Sequence, residues 1–176
     1  LKFLEATVAL GVYEEPLRSV IHKLKYGNGW RLSRLLGPML ATRLAPFIGR
    51  ERPLVAHVPM HERKRRVKGY DHARELAECL ARSLGLDHRP LLERVRFTAS
   101  QASLERKGRR TNVAGAFKLK EEWVEETAGR RVVLVDDVLT TGSTVSECAR
   151  VLVEGGAAGV TACILARDLK AGCGEP

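Results

Sequence analysis

Val132-Val133-Leu134-Val135-Asp136-Asp137-Val138-Leu139-Thr140-Thr141-Gly142-Ser143-Thr144 is the stretch on which the fold turns. Its first four residues form an unbroken, mostly β-branched apolar run, the pattern of a strand covered on both faces. Val145 to Glu154 follows with helical spacing and is closed by Gly155-Gly156. Val160 to Ala166 reads as a second covered strand. Strand, helix and strand with short connections make a βαβ unit, which requires a parallel sheet with helices on its faces. The predicted class is α/β.

In such a sheet, ligands bind beyond the carboxyl ends of the strands. Asp136 and Asp137 are expected there, directly after Val132–Val135. Thr144 and Glu147 fit a capping box, which would start the helix at that threonine. A helix N-terminus offers free N–H groups and partial positive charge, suited to one phosphate. Gly142 lets the backbone approach that phosphate, and the hydroxyls of Thr140, Thr141, Ser143 and Thr144 can donate to its oxygens. Two adjacent carboxylates would repel the same anion. They suit sugar hydroxyls, or Mg²⁺ met through water. The pattern describes a ribose phosphate better than a nucleoside triphosphate, because no Gly-Lys-Ser/Thr follows the loop. An acidic turn with capping hydroxyls would explain Thr144 alone, but not the whole run.

Working outward, Leu17, Val20, Ile21 and Leu24 recur at helical spacing between Pro16 and Tyr26. A second helix is expected from about Arg31 to Leu44, stopping before Pro46. Leu54–Val58 reads as a short buried strand, Ala73–Leu84 as a helix ended by Gly85, and Leu91–Phe97 as a weaker strand. Thr98–Gly115 is polar and basic with little periodicity, a loop long enough to mark function or disorder. The predicted order therefore opens with helices only. Residues 1–50 would form a small hood and residues 51–176 the core of one structural domain. An apolar face on Leu17–Leu24, left exposed, would favour a homodimer.

The 176 residues suffice for a core without staples. No window approaches about 18 uninterrupted apolar residues, so no membrane span is expected. Leu1–Leu10 has no basic n-region, which makes the cytoplasm the default location. Cys79, Cys148, Cys163 and Cys173 show no C-x-x-C pair and read as inert thiols. Lys plus Arg number 30 against 21 Asp plus Glu, a formal charge of +9 that attracts anions. Much of that charge lies in His61–His72 and Arg89–Arg110.

Val132 to Thr144 resembles the phosphoribosyl pyrophosphate (PRPP) signature of type I phosphoribosyltransferases, with an expected residue type at every position. The resemblance implies that family's fold, a parallel sheet flanked by helices with a small hood. It implies that Asp136 and Asp137 contact the ribose hydroxyls, that Thr140 to Thr144 hold the 5′-phosphate, and that Val138 and Leu139 belong to the same PRPP-binding stretch. Val58-Pro59-Met60-His61, then Arg63, Lys64, Arg66 and Lys68-Gly69-Tyr70-Asp71-His72, narrow the likeness to the ComF branch, associated with competence and DNA uptake. That branch usually reads Arg-Gly-Phe-Asn-Gln where this chain has Lys68 to His72. Tyr13, Lys25, Tyr26, Arg94, Arg96, Gln101, Arg109, Asn112 and Phe117 extend the match. A cysteine-rich zinc ribbon, frequent at the start of such proteins, has no counterpart in this sequence; the leading Leu1 hints at a shortened chain.

The resemblance implies PRPP as co-substrate, Mg²⁺ as cofactor and transfer to an unidentified nitrogen acceptor. In that reading the loop Met60–Gly69 wraps the pyrophosphate, neutralised by Arg63, Lys64, Arg66 and Lys68. Arg106, Lys107, Arg109 or Arg110 of the second loop closes over it as a lid. No general base stands out; His57, His61 and His72 are candidates by location only. Two other readings stay open. One is a PRPP- or nucleotide-binding module with weak turnover, acting through DNA-uptake proteins or single-stranded DNA. The other is a DNA-binding protein outright, although aromatic residues, which stack single strands, are only 5% of the chain.

Overall fold

A computed structural model describes residues 2–26, 29–49, 51–96 and 113–169. The chain begins with a strand, β1 (Ala6–Val12), then helices α1 (Leu17–Lys25) and α2 (Ser33–Ile48). Strand β2 (Leu54–His57) and helices α3 (Glu62–Lys68) and α4 (His72–Leu84) follow. Two short strands, β3 (Leu92–Arg94) and β4 (Phe117–Leu119), and one turn of helix, α5 (Val124–Thr127), precede the last unit. That unit is β5 (Arg131–Leu139), α6 (Ser143–Glu154) and β6 (Gly159–Arg167).

Four strands form a parallel sheet in the order β1-β6-β5-β2, and β3 pairs with β4 in a separate antiparallel ribbon. The predicted βαβ unit forms the middle of the parallel sheet, where both faces are covered. Alternation along β5 divides the core. Val132 and Leu134 join Leu54, Ile164, Val145 and Leu152 beneath α6 and the ribbon. Val133 and Val135 join Ile21, Leu24, Leu40, Leu76 and Leu80 beneath α1, α2 and α4. Helices α2 and α4 approach closely at Gly37, where an added Cβ would lie 2.5 Å from the Cβ of Cys79.

Several expectations are corrected. The chain opens on β1, which joins the main sheet beside β6, so residues before 50 are not helices alone. Val8, Ile21 and Leu40 share one core with Val55 and Val133. Helix α2 runs through Pro46 to Ile48. Its outer side there is exposed, so the Thr42 carbonyl that the proline leaves without a donor can meet water. The Leu17–Leu24 face is turned inward: Ile21 and Leu24 are fully buried and Leu17 and Val20 half-buried. The exposed apolar face on which the homodimer expectation depended is therefore not present. Cys148 and Cys163 are buried thiols, and burial pushes both above the ordinary cysteine range.

Candidate functional site

At the carboxyl end of the sheet, β5, α1, α3, α4 and α6 enclose a cleft of about 380 Å³. Strand β5 runs through Asp136 and Asp137 to Leu139, rather than ending at Val135 as expected. Because the acids occupy consecutive strand positions, their side chains leave on opposite faces. Asp137 meets α1 and α4: its Oδ2 lies 2.9 Å from Lys25 Nζ and 2.7 Å from His72 Nε2, close contacts whose angles depart from hydrogen-bond geometry. Asp136 turns to the other side, where the charges acting on it and its surroundings include Arg94, beside the buried Cys148.

The two carboxyls titrate apart. Asp136 is half-open to the cleft yet hemmed in by protein. Burial first, and then the charge of Asp137, push it up to about 7. Burial alone would also raise Asp137, but contact with His72 and Lys25 overrides this and holds it at about 2. Burial would lower Lys25, and the nearby Asp137 carboxylate reverses this and raises it.

After Leu139 the chain turns through Thr140 and Thr141 to Gly142, whose φ of 74° is the left-handed conformation that favours glycine. Helix α6 starts at Ser143, with Gly142 as its cap, and Thr141 Oγ1 accepts a long bond from Ser143 N at 3.5 Å. The expected capping box is therefore absent. Thr144 already lies inside the first turn, and Glu147 accepts from the backbone N–H of Gly115 at 2.7 Å and pairs with Arg150. The first-turn amides face the cleft without a capping oxygen from Gly142, a ready anion cradle. Thr141 Oγ1 and Ser143 Oγ lie 2.9 Å apart at its rim.

Asp136 to Thr144, Lys64 and Lys68 all line the cleft. The two lysines do so because the expected loop Met60–Gly69 is largely helix. The His61 Nδ1 accepts from Arg63 N at 3.2 Å to start α3, Gly69 (φ 78°) ends it, and positions 64 and 68 share one face. Burial and neighbouring cations lower both lysines. The same helix turns Arg63 and Arg66 away from the cleft. Arg66 pairs instead with Glu62 at 2.6 Å on the exposed side. Arg109, the lid from Thr98 onward with Arg106, Lys107 and Arg110, and Cys173 lie outside the described residues.

Of the histidines, only His72 lines the cleft. His57 is buried at the end of β2 with Nδ1 3.0 Å from His88 Nε2, and burial pushes it down to about 4. His61 is spent on capping. Lys25, Tyr13 and Arg94 also line the cleft, roles that no local spacing announced. Asp71 joins the start of α4 to the wall of the cleft. Its Oδ1 accepts from Ala73 N (3.1 Å) and Arg74 N (3.3 Å) to cap α4, while Oδ2 accepts from Met60 N (3.0 Å). Both oxygens act as acceptors, which an amide cannot match.

Comparison with known proteins agrees with this geometry. The family model described as the phosphoribosyl transferase domain matches residues 71–173. The DNA utilization protein YhgH of Escherichia coli (strain K12) is 32% identical over 167 residues, covering 92% of this chain and 72% of that protein. Competence protein F of Haemophilus influenzae is 35% identical over 150 residues, covering 82% of this chain and 65% of that protein. Among solved structures, the glutamine PRPP amidotransferase from B. subtilis, complexed with ADP and GMP, matches with a TM-score of 0.54 and 24% identity. That match covers 78% of this chain and 26% of the amidotransferase, a likeness of fold. Among the described residues no helix is long and apolar enough to cross a membrane. With the sheet, the β5–α6 cradle and these relatives in agreement, the chain belongs to the phosphoribosyl transferase domain family, in its ComF-like branch of type I phosphoribosyltransferases.

Proposed function

We propose that the cleft binds PRPP and that the chain transfers its phosphoribosyl group to a nitrogen acceptor. One observation carries the reading: a left-handed Gly142 opens α6 toward a cleft that also holds Asp136, Asp137 and the cations Lys25, Lys64, Lys68 and Arg94. The 5′-phosphate suits the amides and hydroxyls of Thr140 to Thr144 at the start of α6. The ribose hydroxyls can donate to Asp136 and Asp137, and the diphosphate finds charge-assisted partners in Lys64 and Lys68.

Transfer breaks the C1–O bond, and the electron pair leaves with the diphosphate. The ribose becomes oxocarbenium-like, and attack by the acceptor nitrogen on the opposite face inverts C1, with a proton lost from that nitrogen. Fixed cations beside the leaving group stabilise the charge that develops on it, so positioning and electrostatics do the work of a nucleophile. Mg²⁺ prefers about six oxygen ligands. Two carboxylates cannot supply that number, so an ion would take most of its oxygens from the phosphates and water, with Asp136 facing it through water and Asp137 open to it only where Lys25 gives way. When bound it would add positive charge at the diphosphate.

A second reading is a PRPP- or nucleotide-binding module acting through DNA-uptake partners or single-stranded DNA. It is favoured by the exposed Arg63, Arg65 and Arg66 of α3, and by relatives named for DNA utilization and competence. Calorimetric titration with PRPP, beside an Asp136→Asn, Asp137→Asn control, tests what both readings share. Heat in the parent and none in the control is expected; no heat in the parent overturns both. Diphosphate release assayed across nucleobases and amines then separates them. Release with any acceptor supports transfer, and binding without release supports the module. Affinity for single-stranded DNA that falls steeply with salt and survives the Asp changes would place DNA on a separate surface.

A further inference from the structure

The carboxylate of Asp137, only 9% exposed, already has a cation on it. Lys25 Nζ stands 2.9 Å from Oδ2, beside His72 Nε2 at 2.7 Å. This lysine is not a loose surface side chain. Leu24 before it is fully buried, and the Leu24 carbonyl accepts from Tyr70 Oη at 2.9 Å. The Tyr26 ring after it lies beneath Lys68 Nζ, 5.1 Å from its centroid. The end of α1 is thus fastened to the cleft on both sides of Lys25, and the ammonium is held in place before any ligand arrives.

A divalent ion approaching Asp137 would meet that ammonium at the same oxygen, and like charges this close in a half-dry cleft repel strongly. Among the described residues no group of three or more His, Cys, Asp or Glu could hold a metal. Lys64, Lys68 and Arg94 meanwhile supply cationic charge around the cleft. We propose that Lys25 is a built-in cation that competes with a divalent ion for Asp137, so that the cleft binds a ribose phosphate diphosphate without needing the ion. The proposal rests on the reading that PRPP is the ligand.

The test is calorimetric titration of PRPP into the full chain, once in EDTA and once in millimolar MgCl₂, for wild type and Lys25→Met. Wild type is expected to bind in EDTA within about threefold of its affinity in magnesium, since the ammonium already neutralises Asp137. Lys25→Met is expected to lose about tenfold or more in EDTA and to regain most of it with magnesium. Wild-type binding only in magnesium, or an equal loss by Lys25→Met in both buffers, overturns the proposal and leaves the PRPP reading standing. No heat from wild type in either buffer removes both. The wild-type comparison needs no variant, so the proposal stays falsifiable even when Lys25→Met folds poorly.

Discussion

Replacing Asp71 by alanine removes three backbone contacts at once, and the geometry allows the loss to be divided. Oδ1 caps α4 through Ala73 N and Arg74 N, and Oδ2 ties down Met60 N in the segment that walls the cleft. Losing a helix cap costs about 1 kcal/mol. Stranding a backbone N–H whose partner is a buried carboxylate costs about 1–3 kcal/mol. Asp71→Ala should therefore destabilise by about 2–4 kcal/mol. In a chain of 176 residues each kcal/mol shifts the melting temperature by roughly 2–4 °C, so the drop should be roughly 5–15 °C. Asp71→Asn retains one acceptor oxygen and sets an amide NH₂ against the other donor, so it should cost about 1–2 kcal/mol. Urea unfolding of the three proteins gives the ranking, with midpoints moving and slopes unchanged. Wild-type stability in Asp71→Asn would refute the claim that both oxygens are needed, and a loss below about 0.5 kcal/mol in Asp71→Ala would refute the tether itself.

Asp136 is raised to about 7 in the folded chain from a usual value of 3.8, so this group costs stability progressively as pH rises from about 4 toward 7, and the full cost persists above that. Asp136→Asn should consequently stabilise the chain at pH 8, on the order of 4 kcal/mol, with little effect near pH 4, while abolishing PRPP heat; urea midpoints at the two pH values check this, and equal shifts at both would contradict it. His57 moves the other way: its folded value, about 4, lies below the usual 6.5, so its neutral form supports folding above pH 6.5. Stability should decline as pH falls from 6.5 toward 4, by on the order of 3 kcal/mol, and His57→Gln should flatten that slope in a pH series of urea melts. Leu80, fully buried on α4 in the core shared with α2, should cost about 2–5 kcal/mol when cut to alanine, read in the same assay.

The βαβ unit was legible because Val132–Val135 and Val160–Ala166 are buried on both faces, so burial is written as continuous apolar runs. Strand β1 was not. Ala6–Val12 is a sheet edge, mostly half-buried, and its pairing with β6 is made with the far end of the chain. Helix α3 was masked by its own charge: it buries no residue, so no apolar stripe marks it. Its signals were instead the end residues, His61 and Gly69. The cradle from Asp136 to Thr144 was readable as a contiguous motif, yet not that its two acids diverge, because that depends on the strand continuing past Val135. Lys25 could not be found by spacing at all. It reaches Asp137 only because α1 folds onto the sheet face that odd-numbered residues of β5 present.

The location of PRPP in the folded chain tests the central claim most directly, and a crystal structure grown with PRPP would give it. The account predicts the 5′-phosphate against the amides of Gly142 to Thr144, the ribose hydroxyls on Asp136 and Asp137, and the diphosphate beside Lys64 and Lys68. PRPP bound on the outer face of α3, or a cleft without ligand and Lys25 still against Asp137 at saturating PRPP, would contradict it.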